Sequence, residues 1–348
     1  VQKRKAAVLY GPKDIRVEEV PMPTIGDDDV LVKVEAVGIC GSDLHYYRDF
    51  QMGTDVITGP HILGHECSGR IVAIGRNVQE RKIGDRVAIE PGVPCRRCEF
   101  CKEGRYNLCR SMVFRSHPMS EGAFVEYLVS PEDFAYPIPD NLTFEEGALI
   151  EPLAVGMHAT KRGDVCAGDI AVILGSGPIG LSILQAAKAR GAGKIFISDV
   201  NEFRLSRAKE LGADVVIDVR SENVVQVVSE LTSGRGADVV FETAGVTETF
   251  DASTKVAKRG GVIVFLAMWK NPMVPLNLYD MIDKELDFRG TFRYANVYPD
   301  AIQLQASGKT QMTELITHRY SIDQIAEAME EALDPTNNLI KVIVNFPS

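Results

Sequence analysis

The 348-residue chain contains no run of about 18 apolar residues, so no segment is predicted to cross a membrane as a helix. It has no repeat of solenoid period and no low-complexity tract. Its opening stretch, Val1-Gln-Lys-Arg-Lys-Ala-Ala-Val8, lacks an apolar segment of signal-peptide length. Positive charge is in deficit: the net charge is −10, which weighs against nucleic acid or an anionic membrane surface as the main partner. An anionic cofactor stays compatible, because local groups can overcome the global sign. Cysteine is sparse, with seven in all, an odd number. In a chain of this size, cysteines at metal-like spacing predict a reducing, cytoplasmic setting.

What is present reads as an ordinary globular composition, 45% hydrophobic and 25% charged. The length exceeds what one hydrophobic core usually serves, so two domains are expected. Four of the cysteines form Cys95-x2-Cys98-x2-Cys101-x7-Cys109. Two-residue gaps let a tight turn aim successive sulfurs at one point, and four thiolates complete a tetrahedral zinc site. Such a site is closed and structural; disulfides or an iron–sulfur cluster are the alternatives for the same spacing.

The first 150 or so residues carry short alternating runs separated by Gly, Pro and Asp, including Val30–Val37, Cys67–Ile74 and Gly84–Ile89. They predict a β-rich, barrel-like domain with long loops, the cysteine lobe (91–112) being one of them. Asp27-Asp28-Asp29 reads as a solvated charge run. The texture then changes. Continuous apolar runs at 170–174, 194–199, 215–218, 238–242 and 261–266 alternate with helical stretches, which predicts βαβ units and a parallel sheet. The runs near its end, such as Val262–Ala267, are candidates for edge-to-edge pairing between subunits. From about Thr291, helix and strand patterns (299–306, 316–320, 322–333, 341–344) suggest a return to the first domain.

Gly175-Ser176-Gly177-Pro178-Ile179-Gly180 follows a buried-strand pattern and opens a helix, the context that gives a G-x-G-x-x-G turn its meaning. The glycines let backbone approach a pyrophosphate, and the helix N-terminus supplies N–H donors. Asp199 ends the next strand, where a carboxylate accepts from the adenosine ribose hydroxyls and repels a 2′-phosphate; this predicts NAD over NADP. Arg204 is close by, for stacking on adenine or pairing with Asp199.

A second set of metal donors stands in the first half: Cys40 in Gly38-Ile-Cys-Gly-Ser-Asp43, and His65-Glu66 after Gly64. Thiolate, imidazole and carboxylate together would leave a fourth zinc position open for chemistry. These motifs, with the four-cysteine lobe and the glycine turn in the same order, resemble the zinc-dependent medium-chain dehydrogenases along essentially the whole chain. Within them the resemblance leans to the polyol (sorbitol and xylitol) dehydrogenases, through Ile89-Glu-Pro-Gly-Val-Pro94, Gly104–Cys109, Phe144–Leu153 and Phe292-Arg-Tyr-Ala-Asn296.

The resemblance implies an α/β protein. A β-rich GroES-like catalytic domain would span 1–153 and 292–348, and a Rossmann coenzyme domain 154–291. It implies Cys40, His65 and Glu66 around a catalytic zinc, with Glu151 beside the metal or ligating it, and Cys95, Cys98, Cys101 and Cys109 on a structural zinc. It further implies Tyr46, Glu151, Arg293 and Tyr294 toward the substrate, Ser42 and His45 as candidates for a proton relay, and a homodimer or homotetramer. The activity implied is hydride transfer between a polyol's secondary hydroxyl and NAD, giving a ketose. A butane-2,3-diol or threonine dehydrogenase is the rival within the superfamily, and a non-catalytic nucleotide sensor the rival outside it. His61, His117, His158 and His318, with Cys67 and Cys166, are left without a metal role.

Overall fold

The computed structural model describes residues 2–118, 120–269, 273–334 and 336–347. The chain divides into two compact units: Val1–Glu151 with Tyr298–Ser307 and Ile316–Ser348, and Pro152–Val297 with Gly308–Leu315. Residues 292–297 and 308–315 group with the second unit. No helix among the described residues is long and apolar enough to cross a membrane.

The first unit is built on a seven-stranded sheet. Its strands run in the order Ala135–Pro137, Arg86–Ile89, Glu66–Ile74, Asp29–Gly38, Lys341–Asn345, Ile316–Ser321, with Tyr127–Pro131 also paired to Asp29–Gly38. Asp29–Gly38 is the organising strand. Its Val30, Val32, Val34 and Val37 are fully buried. One edge pairs with Glu66–Ile74, and the other is shared between Tyr127–Pro131 at its start and Lys341–Asn345 at its end. A smaller sheet, with Lys3–Gly11 between Asp14–Pro21 and His61–Ile62, completes the β-rich body. The pairings Gly38↔Glu66 and Gly38↔Ile343 bring the end of the organising strand, the start of one neighbour and the final strand of the chain into register.

The second unit is a six-stranded sheet, parallel throughout, ordered Val215–Asp218, Lys194–Asp199, Ile170–Leu174, Ala237–Glu242, Ala257–Phe265, Asp287–Gly290. The order reverses at Ile170–Leu174, the doubly wound arrangement whose ligand crevice lies at the carboxyl ends of the strands. Ala171, Val172, Ile173 and Leu174 are all fully buried. Successive strand residues point to opposite faces, so both faces of this strand are covered, which is why it reads as a continuous apolar run. The run Val262–Ala267 is not an edge: the strand Ala257–Phe265 has neighbours on both sides, and its hydrogen-bonding groups are already used. Among the described residues, the outermost strand on that side is Asp287–Gly290.

Asp238 pins the start of a central strand. It accepts from Ile170 N at 2.9 Å and pairs with Arg235 and Lys258. Burial pushes its carboxyl upward, but the Arg235 and Lys258 hydrogen bonds outweigh this and hold it well below the usual carboxylate range. A depressed folded-state value stabilises above the unfolded value of about 3.9 and is lost as pH falls through the folded one. Asp238→Asn should therefore cost about 1–3 kcal/mol at pH 7. Urea unfolding at pH 7 and pH 3 checks this: the deficit should shrink at the lower pH, and an equal deficit at both would refute the electrostatic account.

Candidate active site and metal centres

In the first unit the chain leaves the organising strand at Gly38 and turns at Cys40, which is extended (φ −95°, ψ 157°) and caps the helix Gly41–Asp49. Asp43, at the third helical position, accepts from Cys40 N at 3.0 Å through Oδ2. Its Oδ1 accepts from Gly64 N at 3.0 Å and Ser116 Oγ at 2.9 Å, and lies 3.6 Å from His65 Nδ1. Asp43 thus fixes the Cys40 turn against the Gly64-His65 loop. Gly64 has φ +93°, a left-handed conformation that favours glycine, and a Cβ there would press on the Phe124 ring.

One donor atom each from Cys40, His65 and Glu66 lie within 4.8 Å of one another. Burial alone would push the His65 imidazole down, but the Asp43 and Cys40 charges raise it well above its ordinary value. The same negative surroundings that attract a proton there attract a cation, and a thiolate, an imidazole and a carboxylate form a donor set suited to zinc with a position left open. Glu66 is 1% exposed and has a second engagement: both its oxygens accept from Lys341 Nζ at 2.8 Å. Glu151 is buried on the first turn of the helix Ile150–Arg162 and lies outside the three-donor group. Its charge is nonetheless felt at Lys341 and Cys67.

Ser42, His45 and Tyr46 share the helix Gly41–Asp49 at the three- and four-residue spacing that places side chains on one face. Ser42 and His45 are half-buried and Tyr46 is buried. His45 Nδ1 is 3.2 Å from Arg48 Nη2, and burial followed by the Arg48 charge lowers the imidazole below its usual value.

The second metal group is the cysteine lobe, where Cys95, Cys98, Cys101 and Cys109 bring their sulfurs within 4.8 Å. Cys98 and Cys101 Sγ are 3.4 Å apart, and Cys95 and Cys101 Sγ are 4.0 Å apart. Sulfurs at the corners of a tetrahedron with bonds of about 2.3 Å would sit about 3.8 Å apart, so these spacings bracket a zinc site and exceed any disulfide bond. Left-handed Arg96 (φ 62°) makes the turn that aims Cys95 and Cys98 together. Backbone N–H groups of Arg97 and Cys98 point at Cys95 and lower its thiol to about 6, favouring the thiolate a metal needs. Among the described residues, His61, His117, His158, His318, Cys67 and Cys166 belong to no metal group. Cys67 lies in the core, where burial pushes its thiol to about 11.

In the second unit the glycine turn joins the strand Ile170–Leu174 to the helix Pro178–Ala189, with Gly177 as its cap and Pro178 as its first residue. Gly175 has φ +109°. A Cβ on Gly180 would fall on Gly175 O, whereas one on Gly177 would meet nothing, so space is open where a phosphate would approach. Asp199 Oδ2 accepts from Ser176 N at 2.7 Å, and its Oδ1 from Val200 N and Asn201 N. The acid therefore stands directly against the turn, and Asn201 caps the helix that carries Arg204. These residues fit a dinucleotide.

Residues 26–140 match the family described as alcohol dehydrogenase GroES-like domain, and residues 178–307 the family described as zinc-binding dehydrogenase. The chain is 46% identical over 343 residues to a sorbitol dehydrogenase of Bacillus subtilis, covering 99% of this chain and 97% of that protein. It belongs to the zinc-binding medium-chain dehydrogenases. Among solved members, an Escherichia coli oxidoreductase of unknown specificity superposes with a TM-score of 0.96 at 40% identity over the whole of both chains. The 2R,3R-butanediol dehydrogenase of B. subtilis superposes at 0.90 and 33%, covering 99% of this chain and all of that one.

Read as a zinc-binding dehydrogenase, the chain holds site residues that sequence motifs alone passed over. Asp43 has a signal: an acid three residues after a helix cap is the capping-box pattern. Lys341 has none. Arg293 and Tyr294 lie in the second unit; Arg293 takes φ 52° with its guanidinium 4.6 Å over the Phe292 ring, and Tyr294 is buried. Cys98→Ser should lower the zinc content by one ion per chain and lower the melting temperature while NADH binding persists. Elemental analysis with NADH fluorescence titration checks this, and an unchanged zinc content would remove the metal from the lobe.

Proposed function

We propose that this zinc-binding dehydrogenase oxidises a secondary hydroxyl of a polyol of the sorbitol, xylitol or galactitol class to the ketose, with NAD⁺ as acceptor. The observation that carries the reading is the Cys40–His65–Glu66 donor set, with His65 and Glu66 buried, in a chain 46% identical to a sorbitol dehydrogenase over nearly its whole length. On this reading residues 1–153 and 292–348 form the catalytic domain and 154–291 the coenzyme domain.

Bound zinc supplies Lewis acidity to a substrate hydroxyl, and the nicotinamide accepts a hydride. The chain's own groups do the rest. Cys40, His65 and Glu66 would hold the metal, with Glu151 beside it or ligating it; Cys95, Cys98, Cys101 and Cys109 would hold the structural ion. Ser42 Oγ accepts the hydroxyl proton as it passes its own on, and half-buried His45 receives that proton and releases it to solvent. Tyr46, Arg293 and Tyr294 bond the remaining hydroxyls, and a site built that way rejects analogues lacking them. Gly175, Gly177, Pro178, Ile179 and Gly180 cradle the pyrophosphate. Asp199 takes the ribose hydroxyls and disfavours NADP, and Arg204 covers the adenine.

We also infer a cytoplasmic homodimer or homotetramer. The seven unpaired cysteines support a reducing compartment. The edge strand Asp287–Gly290 and the exposed Leu278, Tyr279 and Ile282 on the helix before it support association along that edge. The butanediol dehydrogenase likeness favours a second reading, a small vicinal diol as substrate.

Rates with sorbitol, xylitol, galactitol, butane-2,3-diol and threonine, each with NAD⁺, separate the readings: a polyol should give the highest kcat/KM, and a preference for butane-2,3-diol would install the second reading. Cys40→Ala should cut kcat by more than about 100-fold, beyond the loss typical of an outer-shell partner, with NADH binding retained. Full activity in that variant would refute the catalytic metal site.

A further inference from the structure

The final strand contributes a charged side chain to the interior that neither the sequence motifs nor the proposed chemistry uses. Lys341 is 2% exposed. Its Nζ donates to Glu66 Oε1 and Oε2, each at 2.8 Å, and to Ile39 O at 3.0 Å. An ammonium has three N–H donors, and all three are committed. Lys341 and Glu66 are 275 residues apart in sequence and meet because Lys341–Asn345 and Glu66–Ile74 flank Asp29–Gly38 on opposite edges. Gly38 lies between them, and a Cβ there would fall on Glu66 Oε2. Room has been kept for this carboxylate to lie across the strand.

A buried ion pair is a weak device for stability, because the desolvation of both groups offsets most of their attraction. It is a strong device for placement. Glu66 has one flank in the Cys40–His65 group and the other on a fixed cation. The third acceptor of Lys341 is the carbonyl of the residue before Cys40, so one ammonium references the carboxylate to the thiolate donor. Asp43 does the corresponding work for Cys40 and His65.

Building on the zinc reading above, we propose that Lys341 is the positioning residue of the catalytic metal site, clamping the Glu66 carboxylate in register with Cys40 so that the pair presents a preformed face to zinc. Ligating carboxylates are themselves oriented by hydrogen bonds, and loss of such an outer partner typically lowers metal affinity about 10–100-fold.

The test is zinc retention by the full chain against a competing chelator, compared among wild type, Lys341→Met, Glu66→Gln and the double variant. Wild type should retain two ions per chain, one for each donor group. If it retains only the ion of the cysteine lobe, the catalytic-zinc reading itself fails. With wild type at two, Lys341→Met should lose the second ion at chelator concentrations about 10–100-fold lower, with the lobe ion and NADH affinity unchanged. Cobalt substituted at the site should show altered visible bands in the same variant. An unchanged affinity and spectrum would overturn the proposal. Should Lys341→Met not fold, the double variant, which removes both buried charges, is set against Glu66→Gln. Equal zinc affinity in those two means Lys341 acts through Glu66, and a further loss in the double variant refutes that route.

Discussion

A carboxylate with no exposed surface holds the first unit's metal pocket together. Asp43 accepts from Cys40 N, Gly64 N and Ser116 Oγ and faces His65. Burial alone would drive it to the neutral form, yet the His65 charge and the Cys40 and Gly64 hydrogen bonds keep it below the usual carboxylate range. The cost of burying the charge is offset by the three hydrogen bonds that it organises. Those bonds bind a helix start, a loop and a distant serine into one geometry. Without them Cys40 and His65 would belong to unrelated loops, and the donor set would depend on metal to assemble it.

The two metal groups are solved by opposite means. The cysteine lobe is local: Cys95 to Cys109 span one loop, and left-handed Arg96 with backbone N–H donors sets the first two sulfurs. The Cys40 group is topological. It needs the end of one strand, the start of its neighbour, a helix cap and the last strand of the chain. A local site can be read as spacing, and a topological one cannot. This is why Cys95, Cys98, Cys101 and Cys109 announce themselves, while Cys40, His65 and Glu66 gain weight only in the company of the other motifs.

The same distinction governs how much of the fold was legible. The second unit's strands are buried on both faces, so Ile170–Leu174, Lys194–Asp199 and Val215–Asp218 appear with the very boundaries that their apolar runs suggest. Helix Gly41–Asp49 left no such trace, because Gly-Ser-Asp-Leu-His-Tyr-Tyr-Arg-Asp has no sustained apolar period and is held by its cap and its neighbours. Val262–Ala267 looked like an edge because hydrophobicity reports burial and says nothing about which strand lies outermost. The short strand Asp287–Gly290 that covers it has too few residues to show a pattern. Glu66 carried a motif, but the group that fixes it lies 275 residues away.

Lys341 and Asp43 together give the pocket a charge logic that the donor set by itself does not have. Thiolate, carboxylate and zinc would leave Glu66 free to choose among the metal, the backbone and water. Committing every Lys341 N–H to Glu66 and Ile39 removes that choice and ties the carboxylate to the residue preceding Cys40. Asp43 ties Cys40 in turn to the residue preceding His65. The three donors are therefore linked through the hydrogen bonds of Asp43 and Lys341 rather than through the metal alone. A preorganised site of this kind loses little ordering entropy when zinc binds, and its open position stays defined by the protein. A closed lobe can tolerate assembly by its ion, since it need only hold a shape; a reacting centre requires the geometry in advance.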